Sequence, residues 1–287
     1  MIRPYLWMGL AAVMLLAPFQ PAVGAQSPAA IERWEAALSP LAERLLRSQG
    51  SLSAEGTDHI FGVPQVDAKR VFMPVSPWQP LPDGFVPPDL VRLGGVPRVL
   101  GQPVSAALMP DLEQMVAESQ RDGVDLVVLS AYRSFADQEA IFERNVQRAI
   151  YRPGGMLSRA DAERAVERFS ARAGHSQHQL GTAIDFTSAE MNYGLGARFA
   201  ETRTGQWLRE QSWKFGFVFP YTDAAEARSG YRNEPWHVRW VGRQLAQIMQ
   251  TDGYLEASYP IADDYILAVS ELSSRWYTSG HPGESRE

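Results

Sequence analysis

The sequence has 287 residues, 45% of them apolar and 21% charged; this suits one globular domain of moderate size with a small appendage and argues against disorder or a multi-span membrane protein. Its 27 basic and 33 acidic residues leave a formal charge of −6 with no long basic run, which argues against a surface built to neutralise nucleic-acid phosphates. Cysteine is absent, so disulfides, a thiol nucleophile and thiolate ligands are excluded, and any transition-metal site must draw on the five histidines and on carboxylates.

Residues 1–25 read as a secretory signal: Arg3 gives the positive start, Tyr5 to Phe19 the apolar run, and Val23, Gly24 and Ala25 a small-residue cleavage site. The mature chain is expected to begin at Gln26, and the apolar run is shorter than the roughly 18 residues of a membrane-spanning helix. The expected location is therefore exported: periplasmic, wall-associated or secreted. Ala29 to Arg47 has apolar residues at helical spacing interrupted by Pro40, which predicts two short helices. From Gly50 to Gly101 the prolines are too frequent for a continuous helix or a central strand, so an extended arm is expected, anchored by Phe72, Trp78, Phe85 and Leu90.

Ser105 to Asp122 predicts a helix whose regular part starts near Pro110 and which Gly123 closes. A strand follows over Asp125 to Ser130, then an amphipathic helix over Phe135 to Ile150 and another over Ser158 to Arg172, with Ser158 and Asp161 spaced as a capping box. Ala183 to Phe186 suits a short strand, Gly205 to Lys214 a helix, Phe217 to Phe219 a strand, and Val238 to Gln250 a helix. Helices interspersed with short strands indicate an α+β fold. The expected organisation is a signal over 1–25, a helical segment and arm over 26–77, a catalytic domain over 78–254, and a helix and tail over 255–287.

The chemistry concentrates in two segments, SQHQLGTAID over Ser176 to Asp185 and EPWH over Glu234 to His237. Together they offer two imidazoles and two carboxylates. A catalytic zinc site uses three protein ligands and leaves one position open, and a spare carboxylate can then serve as base. On one regular strand His178 and Asp185 would stand about 23 Å apart, at roughly 3.3 Å per residue, far beyond ligation distances near 2 Å. The chain must turn between them, and Gly181 is the residue that tolerates the turn. Glu234 and His237 come together only if their segment also bends, which Pro235 favours.

These segments, SxHxxGxAxD then ExWH, with SAYRS upstream at Ser130 to Ser134, resemble the VanY-type D-alanyl-D-alanine carboxypeptidases over roughly Trp78 to Tyr254. The resemblance implies zinc held by His178, Asp185 and His237, with Glu234 as catalytic base. It makes Arg133 the cation that stabilises the developing oxyanion or clamps the substrate, and Ser176 and Gln138 substrate-binding residues. It also implies a small α+β domain around a central antiparallel sheet, as in Hedgehog signalling domains, and a peptidoglycan stem peptide as substrate. Cleavage of a D,D bond, an L,D bond or an internal stem-peptide bond stays open, as does a non-catalytic zinc-binding domain; a purely structural site would need neither Glu234 nor Arg133. A His₂Asp set also accepts other divalent ions. Of the remaining residues, His175 is expected beside the site or at the surface, His59 and His281 in solvent, and Trp236 in core packing. The aromatic run from Gly205 to Tyr221 is likewise expected to fill core rather than form a sugar-binding platform. The sequence carries no signal for oligomeric state.

Overall fold

The computed structural model describes residues 40–45, 47–48, 59–152, 156–258 and 260–278. The expected signal, the start of the predicted N-terminal helices and His281 lie outside them. Residues 40–45 are helical, and Leu41 and Leu45 enter the main core, with Arg44 reaching Asp252. A two-residue hairpin, β1 (His59–Ile60) and β2 (Val63–Pro64), leads directly into α1 (Gln65–Val71). This helix falls inside the region read as an extended arm. After Pro64 the next proline is Pro74, so Gln65 to Val71 is free to pair its own backbone, and Ala68 and Val71 bury one side of it.

The proline-rich stretch after α1 is extended, as expected. It ends in β3 (Leu90–Val91), paired antiparallel with β4 (Val104–Ser105). A 3₁₀ turn over Ala106–Leu108 then opens α2 (Met109–Arg121), with Pro110 in its first turn and Gly123 just past its end. After β5 (Val127–Ser130), α3 (Phe135–Ile150) begins at a complete capping box: the Ser134 hydroxyl accepts from the Asp137 N–H and the Asp137 carboxylate from the Ser134 N–H. α4 (Arg159–Glu167) is capped by Ser158, but there Asp161 answers with a carboxylate–hydroxyl bond. It stops short of the predicted end at Arg172, as the Phe169 and Ser170 N–H groups both turn back to Val166.

β6 (Ala183–Thr187), α5 (Arg203–Gln211), β7 (Phe217–Val218), α6 (Glu226–Ser229), β8 (His237–Trp240), α7 (Arg243–Thr251) and α8 (Ala262–Thr278) complete the chain. The predicted helix over Val238 to Gln250 is thus a strand followed by a shorter helix. Val238, Val241, Leu245 and Met249 mimic one helical face, but Val238 and Trp240 alternate with Arg239 at the period of a strand, and Gly242, at φ +78°, separates the two elements.

The central sheet is antiparallel with strand order β5-β6-β8-β7. Its register aligns Ser130 with Asp185 and Asp185 with His237. Ile184, Phe186, Val238 and Trp240 are buried in the main core, which also takes in Leu112 and Met115 of α2, Leu245 of α7, and Tyr265 and Ile266 of α8. The other face, free of that core, presents the polar row Ser130–Asp185–His237. α3 and α4 pack as a hairpin around a separate cluster of Phe142, Val146, Ala162 and Val166.

Candidate metal centre

Asp185 and His237 face each other because their strands pair at those residues. His178 arrives from a 3₁₀ turn, Gln177–Leu180, which Gly181 ends in the left-handed conformation at φ +72°, as the spacing required. A Cβ at Gly181 would meet Leu90 Cδ2 at 3.1 Å and the Ser105 backbone nitrogen at 3.3 Å. That nitrogen donates to the Gly181 carbonyl at 2.9 Å, so the turn is pressed against β4. The ligand atoms of His178, Asp185 and His237 lie within 4.8 Å of one another, and all three residues are buried.

Each imidazole turns one ring nitrogen toward this centre and the other toward a polar group outside it. His178 Nδ1 stands 2.7 Å from the Ala131 carbonyl oxygen, which can only accept, so Nδ1 carries the hydrogen and Nε2 offers its lone pair toward Asp185. His237 has Nε2 at 3.2 Å from Gln177 Oε1 and Nδ1 at 2.9 Å from Asp185 Oδ1. Tyr221 stacks on the His237 ring at 4.9 Å and 20°. Two imidazole nitrogens and one carboxylate converging in a buried pocket form a donor set that fits a divalent transition metal, zinc above all.

Arg133 lies against the same atoms. It donates from Nη2 to Asp185 Oδ2 at 2.6 Å and stands 2.9 Å from His178 Nε2, while Nε donates to Ser130 Oγ at 3.1 Å and Nη1 to Gln138 Oε1 at 3.2 Å. Burial pushes His178 down, and Arg133 adds to it, to about 4, so its imidazole is neutral near pH 7. Burial works to raise Asp185, but His178, which is charged in the acid range where this carboxyl titrates, and Arg133 outweigh it and hold the carboxyl well below its usual range. Glu234 behaves oppositely: burial first, then the charge of Asp185, push it well above the usual range despite the pull of Arg133. Its carbonyl accepts the His237 N–H at 3.0 Å, closing the predicted bend between the two residues.

The two remaining predicted residues serve their neighbours in this structure. The Ser176 hydroxyl accepts the His178 N–H at 3.3 Å and caps the 3₁₀ turn. Gln138 is buried, accepting from Arg133 and donating to the Ala171 carbonyl at 2.7 Å. His175 lies near the site and bonds the Ser76 carbonyl through Nδ1. Trp236 packs against the core, as expected. Three residues at the site escaped the sequence reading: Gln177, a variable-looking position inside the motif; Tyr221, counted as core; and Asp263 of α8, for which no local signal exists.

The VanY family, described as D-alanyl-D-alanine carboxypeptidase, matches residues 102–243, which contain the three candidate ligands, Glu234 and Arg133. The chain belongs to that family. Among curated relatives, it is 28% identical over 174 residues to a putative carboxypeptidase of Bacillus subtilis and 31% identical over 159 residues to a D-alanyl-D-alanine carboxypeptidase of Enterococcus faecalis. These matches cover 59% and 55% of this chain, and 59% and 56% of those relatives, so this VanY-family chain spans less than two thirds of their length. Among solved structures, the LdcB LD-carboxypeptidase superposes with a TM-score of 0.58 at 25% identity, over 70% of this chain and 87% of that one. The vancomycin-resistance D,D-pentapeptidase VanY of the VanB-type cassette, a mutant form in complex with Zn(II), gives 0.57 at 27% identity, over 69% and 99%. The fold is thus the Hedgehog/DD-peptidase fold that the resemblance implied.

Proposed function

We propose that this chain is an exported zinc carboxypeptidase that removes the terminal D-alanine from peptidoglycan stem peptides or their precursors. The observation that carries the proposal is the convergence of the Nε2 lone pair of His178, the Asp185 carboxylate and Nδ1 of His237, with Glu234 and Arg133 alongside. The zinc complex of the related VanY enzyme and the family's description support both metal and substrate class. A structural zinc site would need neither the raised carboxyl of Glu234 nor a guanidinium held by Ser130 and Gln138.

His178, Asp185 and His237 would hold the metal. Zinc bound there would supply Lewis acidity, lowering the pKa of water and polarising the scissile carbonyl. Glu234 takes a proton from the attacking water as its oxygen bonds to the carbonyl carbon, then gives that proton to the nitrogen as the C–N bond breaks, releasing D-alanine and the shortened peptide. Arg133, fixed by Ser130 and Gln138, offers its charge to the negative oxygen or the substrate's terminal carboxylate. Ser176, two residues before His178, binds the same carboxylate through its hydroxyl proton.

Incubating the purified protein with a pentapeptide muropeptide ending in D-Ala-D-Ala, with and without chelator, tests the proposal by mass spectrometry. Loss of one alanine, abolished by chelator, is expected; an untouched pentapeptide with zinc bound refutes it. A second reading, L,D-carboxypeptidase, is favoured by the superposition on LdcB and predicts instead cleavage of the tetrapeptide.

A further inference from the structure

α8 lies outside the residues that the family match covers, yet it reaches the metal centre. Gln177 Nε2 donates to Asp263 Oδ1 at 3.3 Å, and the other end of the same amide, Oε1, faces His237 Nε2 at 3.2 Å. Gln177 is 1% exposed and His237 2%, so each group depends on the partner that the protein supplies. Arg239 stands two residues beyond His237, on the same side of β8. Its Nη2 donates to the Val71 and Met73 carbonyls at 2.8 Å, while Nε and Nη1 are buried without a hydrogen-bond partner. Burial raises the Asp263 carboxyl to about 7, and the charge of Arg239 opposes that rise and favours the carboxylate.

We infer that Asp263, acting through Gln177, is a positioning residue that fixes His237 as its Nε2–H tautomer and so aims the Nδ1 lone pair at the metal position. The inference rests on the metal reading proposed above. Once ionised, Asp263 accepts and cannot donate, so the Gln177 amide must then turn its NH₂ toward it. Its oxygen then faces His237 and can only accept, which places the imidazole proton on Nε2. This does for His237 what the Ala131 carbonyl does for His178. The difference is that one orienting group is local backbone, whereas the other is a chain of two side chains ending on the C-terminal helix. Without Asp263 the amide can turn over and offer NH₂ to Nε2, putting the proton on Nδ1 where the metal should be.

The test is zinc affinity of the full-length chain, by competition with a chromophoric chelator, for the wild type, Asp263→Asn, Gln177→Ala and a double variant that combines Gln177→Glu with Asp263→Asn. Loss of an outer hydrogen-bond partner of a metal ligand costs on the order of 10- to 100-fold in affinity, and that is expected for both single variants. In the double variant the new amide on α8 donates to the new carboxylate beside His178, which accepts from His237, so the polarity is restored and affinity recovers. Wild-type affinity in both single variants, or no recovery in the double variant, overturns the relay. A wild-type chain that binds no zinc instead refutes the metal reading itself. If the variants do not fold, ¹⁵N spectra of the metal-free wild type above pH 7 decide: a proton on His237 Nδ1 refutes the proposal, and one on Nε2, with no metal to force it there, upholds it.

Discussion

Gly181→Ala probes the turn that brings His178 to Asp185. The glycine sits at φ +72°, where an L-residue costs about 1–2 kcal/mol. The new methyl would also press on Leu90 Cδ2 at 3.1 Å and on the Ser105 nitrogen at 3.3 Å. Leu90 can give, but Ser105 is backbone held by β4 pairing and by its bond to the Gly181 carbonyl, so the turn itself must move. Adding about 1 kcal/mol for that shift gives a loss of about 2–3 kcal/mol. Gly253→Ala is the control: φ is +71°, yet nothing lies within 4 Å of its Cβ, so it bears the backbone cost alone. Denaturant unfolding of both variants measures the difference, and zinc titration measures whether His178 has moved. If Gly181→Ala is no less stable than Gly253→Ala and binds zinc like the wild type, the close contact with β4 does not hold the ligand in place.

Glu234→Gln should keep zinc stoichiometric while steady-state turnover falls by about 10²–10⁴, the usual worth of a general base; an unchanged rate removes Glu234 from the mechanism. His178→Ala or His237→Ala should each abolish one-to-one zinc binding by atomic absorption, and retention of a full equivalent would void the ligand assignment. Arg133→Ala should lower turnover on the order of a hundredfold, with partial recovery by exogenous guanidinium as the accompanying check. Asp263 gives a pH prediction: burial, with Asp264 adding and Arg239 and Arg228 opposing, raises it from 3.8 to about 7. The folded state then keeps a proton that the unfolded chain has released. Stability therefore falls as pH rises from about 4 to 7, by up to about 4 kcal/mol. Asp263→Asn should flatten that slope in urea titrations at several pH values, and a slope unchanged by the substitution would contradict it.

The convergence of the candidate ligands was legible because their chemistry is compact in sequence: His178 and Asp185 are separated by one glycine-closed turn, and Glu234 and His237 by one bend. The capped helices were legible too, since Ser134 and Asp137 encode a start within one helical turn. β8 was misread because a strand with core on one face and His237 and Arg239 on the other merges, at Val241, with the apolar stripe of α7. The helix Gln65–Val71 was hidden by a dense run of prolines that in fact begins after it. Asp263 was beyond reach for a different reason: its meaning arises only when α8 packs beside Gln177, and no local pattern records a contact between residues 86 positions apart.

The cross-strand alignment of Asp185 with His237 has a thermodynamic corollary. Sliding β8 by a single residue against β6 would turn His237 away and bring Trp236 or Val238 to the polar face, while leaving almost as many backbone bonds. Short strands discriminate poorly between such alternatives by hydrogen bonding alone. An ion bound by both side chains adds its binding free energy only to the aligned pairing. Zinc loading should therefore act as a proofreader of strand register, sharpening the choice among competing sheets as well as supplying chemistry.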